Sequence, residues 1–326
     1  MLKKNNNLEE RLSHLNDLLH QLELIELNGE TSTDFPTLFI IGSPRTGSTL
    51  FTQWLASLGT FAYPSNFLSR LYNAPYVGAL IYEIVTNPKY QYGDEFSDIM
   101  DIDVEHKFKS NRGKTKGFKS PHEFWYFWKR FYEFPIEVSS EEDFALKFDS
   151  DTFQKELSLM QQAFGKPLFM KGKIINYYLE SFSKKIDNAL YIHLRRDPIA
   201  ASRSLLKAKK QKGSWFSWKP RQYNLLKEMG EPHQAVGQIY FIEKEILDKR
   251  KYLGDRYLSF NYEDFCENPD VVYEEIKNKV SKYSVNLELP DYDGPEYFLQ
   301  SNPISKEDDF LIEAYKQFEE KYGVLK

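Results

Sequence analysis

The chain has 326 residues, 41% hydrophobic and 28% charged, enough for one large α/β domain or two small ones. Its net charge of −5 argues against a general nucleic-acid binder, so an anionic ligand must be held by local cations. Cys266 is the only cysteine, which excludes an intramolecular disulfide and a cysteine-rich metal site, and no apolar run approaches the roughly 18 residues of a membrane span.

The N-terminus, "MLKKNNNLEERL", lacks the apolar core of a signal peptide, so the expectation is a cytoplasmic protein. Leu8, Leu12, Leu15, Leu19 and Leu22 fall at helical spacing and predict an amphipathic helix over 8–26, followed by the turn-rich linker 28–36. Residues 1–30 read as an N-terminal helical extension, packed on the remainder or serving a homodimer contact, and 31–326 as one domain. "TLFIIGSP" (37–44) is apolar on both faces, as a buried parallel strand is, and a helix resumes over 49–58. Further strands are predicted at 166–172, 189–198 and 256–265, with helices over 199–210 and 233–249 and a last one from Ser305 to Gly323. This alternation predicts an α/β, P-loop-like, three-layer fold with a central parallel sheet and helices on both faces. Residues 60–165 are expected as helices and loops over the carboxyl edge of the sheet, where such proteins bind ligands.

Between the first strand and its helix lies "GSPRTGST", with Gly42 and Gly47 at P-loop spacing but Ser48 where the lysine belongs. Helix N-terminal N–H groups attract an anion, and the two glycines permit the turn that aims them. Arg45 supplies a cation two residues before Gly47, so Arg45, Thr46, Gly47, Ser48 and Thr49 are the candidate anion-binding residues. Without the lysine, ATP hydrolysis is poorly supported, and Asp197, behind Arg195 and Arg196, is an unfavourable Mg²⁺ ligand. In "HLRRDPIAASRSLL" (193–206), Arg196 ends a strand and Ser204 follows eight residues later on a helix, where both can close on one phosphate.

Together these stretches resemble the sulfotransferases: "GSPRTGSTLF" is similar to their 5′-phosphosulfate loop, and Arg196 with Ser204 to their 3′-phosphate site. "SFNYEDFCENP" (259–269) resembles a structural strand-plus-turn of the same family, so the likeness covers about residues 37–270. The "RKG" element of the cytosolic small-molecule enzymes is absent, which favours the bacterial branch related to glycan and tyrosylprotein sulfotransferases. The resemblance implies transfer of a sulfuryl group from 3′-phosphoadenylyl sulfate (PAPS) to a hydroxyl, on a glycan, a glycosylated metabolite or another small molecule, with release of 3′,5′-adenosine bisphosphate (PAP) and no metal. It implies Arg45 and Lys171 as cations on the transferring group, with Lys173 the rival of Lys171. The family's glutamate about 20 residues beyond the loop arginine is replaced here by Ser65 and Asn66, neither of them a base. In "SPHEFWYFW", His122 or Glu123 takes that role, and the aromatic run 124–134 offers stacking platforms. Of the other histidines, His14 and His20 fall on the first helix, His106 in a charged stretch, His193 within a strand and His233 at a helix start. A P-loop kinase using ATP and a PAP-binding module without catalysis are the rival readings.

Overall fold

The computed structural model describes residues 5–325 apart from 32, 94, 97–107, 110–113, 136, 214, 216, 285–286 and 302–307. Strands β1 (Thr37–Ile41), β2 (Leu168–Lys171), β3 (Ala189–Arg195) and β4 (Tyr257–Asn261) pair in parallel in the order β2-β1-β3-β4. The chain leaves β1 for β2 on one side, then crosses to β3 on the other, so the strand order reverses between β1 and β3. That reversal opens a crevice at the carboxyl ends of these strands. Residue Ala62 extends the sheet beyond β2 by a parallel bridge to Leu168.

The main helices are α1 (Asn6–Leu27), α2 (Ser48–Ser57), α3 (Pro75–Thr86), α4 (Trp125–Phe131), α5 (Ser150–Phe164), α6 (Pro198–Lys212), α7 (Glu231–Lys249), α8 (Tyr262–Glu267), α9 (Pro269–Tyr283) and α10 (Asp309–Tyr322). Alternate residues of β1 enter different cores. Phe39 and Ile41 join Phe127 and Trp128 of α4 and Phe153 of α5, whereas Leu38 and Ile40 join Phe51 and Trp54 of α2 and Ile276 of α9. Both faces are covered, which is why the strands read as continuous apolar runs. A third cluster, with Leu205, Tyr240 and Phe318, ties α6, α7 and α10 together. The predicted last helix begins in part outside the described residues, and His106 lies wholly outside them.

Helix α1 does more than pack leucines. Asn16 and Glu23 are fully buried on it, while Leu15, Leu18, Leu22 and Ile25 face solvent. Asn16 donates to the Arg70 carbonyl and accepts from the Asn73 N–H, both at 2.8 Å. Glu23 accepts the N–H groups of Tyr76 and Val77 at 2.8 and 3.1 Å, capping α3 from another helix. Burial pushes its carboxyl up to about 7, against those two hydrogen bonds. Helix α1 is thus bonded to the rest of the chain through backbone groups of 70–77.

Candidate active site

The loop after β1 needs its glycines for two separate contacts. Gly42 sits at φ 138°, and a Cβ there would come 2.5 Å from the Leu194 carbonyl oxygen of β3. At Gly47, φ 80°, a Cβ would strike the Tyr262 ring at 2.2 Å. Asn176 fixes the start of the loop, donating to the Gly42 carbonyl at 3.0 Å. Arg45 is itself left-handed, at φ 68°.

Three residues predicted from separate stretches meet here. Arg45 Nε donates to Ser204 Oγ at 3.0 Å, and Arg196 donates to the Arg45 carbonyl at 3.1 Å. The Arg196 guanidinium lies 4.4 Å from the centre of the Tyr262 ring. Burial, and then the neighbouring Arg196, hold the Arg45 pKa below its ordinary value. Two guanidinium groups and a hydroxyl converging beside a helix N-terminus form a ready phosphate site. Asp197 is committed elsewhere: its Oδ1 caps α6 by accepting from Ile199 and Ala200 N–H at 2.9 and 2.8 Å.

The charge that position 48 lacks arrives from the neighbouring strand. At the end of β2, Lys171 Nζ donates to Thr49 Oγ1 at 3.1 Å, and Lys173 Nζ to the Ser43 carbonyl at 3.0 Å. Burial, and secondarily Lys171, push Lys173 down to about 7, while Glu123 works in the opposite direction. Thr46 and Ser48 are buried in the loop, with Thr46 Oγ1 bonded to the Ser43 carbonyl.

A carboxylate reaches the loop from elsewhere in the chain. Ser65 forms an antiparallel bridge with Pro121, and His122 N–H donates to the Pro64 carbonyl at 2.7 Å. This pairing brings Glu123 beside the loop, where its Oε1 stands 3.4 Å from Lys171 Nζ and its Oε2 accepts from Trp125 Nε1 at 2.7 Å. Burial works to raise the Glu123 pKa, but Lys171, Lys173 and the Trp125 N–H together hold it below the usual carboxylate range. His122 is placed differently. Its Nδ1 accepts the Phe124 N–H at 2.9 Å, burial pushes its pKa down to about 4, and the cavity wall includes Glu123 but not His122. His193 is buried between Tyr257 and Glu243, and His20 bonds the Asn73 carbonyl; neither lines the cavity.

The loop, the ends of β2 and β3 and Glu123 border one cavity of about 1050 Å³. Arg45, Lys171, Lys173, Arg196, Lys109 and Lys219 line it, with Glu123 the single carboxylate among its described residues. A strongly cationic hollow in an acidic chain selects anions locally. Its lining also includes Tyr262, Phe298, Leu299 and Ser301, and Trp125, Trp128, Pro135, Ile174 and Trp218. Sequence reasoning took 259–269 as purely structural and so missed Tyr262, which supports both Gly47 and Arg196. An aromatic at the carboxyl end of a sheet strand was the available signal.

A parallel sheet with a glycine loop at its reversal point and a cationic crevice above is the setting in which α/β proteins hold anionic ligands. The Sulfotransferase family model matches residues 36–280, and the chain belongs to that family. Among solved structures it is similar to sulfotransferase STF9 from Mycobacterium avium, at 13% identity and TM-score 0.51 over 90% of this chain and 78% of that one. It also matches sulfotransferase STF1 from Mycobacterium tuberculosis H37Rv, at 12% identity and TM-score 0.47 over 94% and 81%. The STF9 likeness bears on the fold alone. No curated protein sequence matches the chain.

Proposed function

We propose that the protein transfers a sulfuryl group from PAPS to an acceptor hydroxyl and releases PAP. The observation that carries this reading is the meeting of Arg45, Arg196 and Ser204 on one side of the loop with Lys171 and Glu123 on the other. The first group suits a terminal 3′-phosphate, which ATP lacks. Loop N–H groups and Thr49 suit the 5′-phosphate, with Gly42 and Gly47 allowing close approach. PAPS, when bound, supplies the activated sulfuryl group. Lys171 and Lys173, bonded to Thr49 and the Ser43 carbonyl of the loop, would neutralise charge on the departing phosphate oxygen, so the reading calls for no metal. Glu123, rather than His122, is assigned as the base, because its carboxylate borders the cavity beside Lys171.

The test is an assay with sulfur-labelled PAPS against a panel of phenols, alcohols and sugars, with Mg²⁺–ATP in parallel. Label should appear on an acceptor, and ATP should give no phosphoryl transfer. Transfer from ATP would make the protein a kinase; tight PAP binding with no labelled acceptor would make it a binding module.

A further inference from the structure

We infer that the acceptor is a phenol, with its aryl ring on a wall formed by Trp125 and Trp218 and its hydroxyl presented to Glu123. This rests on the sulfotransferase reading and narrows its acceptor, against the sequence's leaning towards a glycan.

The wall is continuous. The rings of Trp125 and Trp218 touch with centroids 5.1 Å apart and planes inclined by 42°, and Phe134 packs edge-on to Trp218 at 6.0 Å. Trp125 also donates to Glu123 at 2.7 Å, so the aromatic surface begins at the carboxylate itself. Beside the two indoles the cavity is lined by Trp128, Pro135 and Ile174, and the polar lining side chains nearest the indoles in the chain are Glu123, Ser217 and Lys219. A pyranose brings several hydroxyls into such a site, and each one buried without a partner weakens binding. An aryl ring has one hydroxyl to satisfy and a face that stacks on indole.

Base strength agrees with the lining. Lys171 at 3.4 Å and Trp125 at 2.7 Å stabilise ionised Glu123 and weaken it as a proton acceptor. A phenol, with a pKa of about 10, gives up its proton far more readily than an alkyl hydroxyl, whose pKa lies much higher. In the transfer, the phenolic oxygen bonds to sulfur as the bond from sulfur to the 5′-phosphate oxygen breaks. The phenolic proton passes to Glu123, and the electron pair leaves with the bisphosphate.

Calorimetric titration with 2-naphthol and with lactose, on protein with and without PAP, decides the matter. The naphthol should bind at least about 100-fold more tightly than lactose. Trp218→Ala should lose about 10-fold or more for naphthol, Trp218→Phe should keep most of the affinity, and PAP affinity should be unchanged in both. Lactose binding as tightly as naphthol, or naphthol affinity indifferent to Trp218→Ala, would overturn the inference. Failure of PAP to bind the unaltered protein would instead remove the donor reading, and the naphthol titration without PAP would still decide the wall.

Discussion

Glu123→Gln is expected to lower turnover by about 10²–10⁴ while leaving PAP affinity within a few-fold. Glutamine preserves the shape and can still accept the Trp125 N–H, so the cavity should keep its form. What it loses is the ability to take a proton as the acceptor oxygen attacks sulfur. Glu123 is a separate residue from the Arg45–Ser204–Arg196 group, which explains why product binding should survive. The companion variant is His122→Ala. The imidazole is neutral at pH 7, with a pKa near 4, and its Nδ1 is occupied by the Phe124 N–H, so its loss should act on local packing and leave turnover within about 10-fold. Steady-state rates for both variants check this. A fully active Glu123→Gln would remove the base assignment, and an inactive but folded His122→Ala would move it to the histidine.

Lys171→Met should lower kcat by about 10²–10³, the usual consequence of losing one fixed donor to a developing anion. Methionine fills the same space at the end of β2, where Lys171 is 7% exposed. The ammonium touches Thr49 of the loop and Glu123, and so spans the donor and acceptor sides of the transferring group. PAP carries no sulfuryl group, and Lys173 remains on the Ser43 carbonyl, so PAP affinity should fall by much less than kcat. Equal losses in kcat and in PAP affinity would reduce Lys171 to a phosphate-holding residue.

The loop and the Arg196–Ser204 pair, proposed as the nucleotide side, could be read from the sequence because each is local. Gly42 and Gly47 are set by one turn, and Arg196 and Ser204 by one strand end and two turns of helix. The four strands were legible for the same reason, each an apolar run with turn residues after it. What escaped depends on pairing between distant segments. The Ser65–Pro121 bridge decides that Glu123, and not His122, borders the cavity. The aromatic wall joins Trp125 to a residue 93 positions later. On α1, a leucine pattern concealed that the polar Asn16 and Glu23 are buried along with Leu12 and Leu27, and their partners are backbone groups that no side-chain periodicity reveals.

The central claim is that this cavity reads a 3′-phosphate, and calorimetry with PAP and with 5′-AMP tests it most directly. Charge-assisted hydrogen bonds contribute about 1.5–3 kcal/mol each, so two from Arg45 and Arg196 predict PAP binding at least about 100-fold more tightly than AMP. In Arg196→Ala that preference should shrink by about 10-fold or more. Equal affinities for PAP and AMP in the unaltered protein would contradict the account.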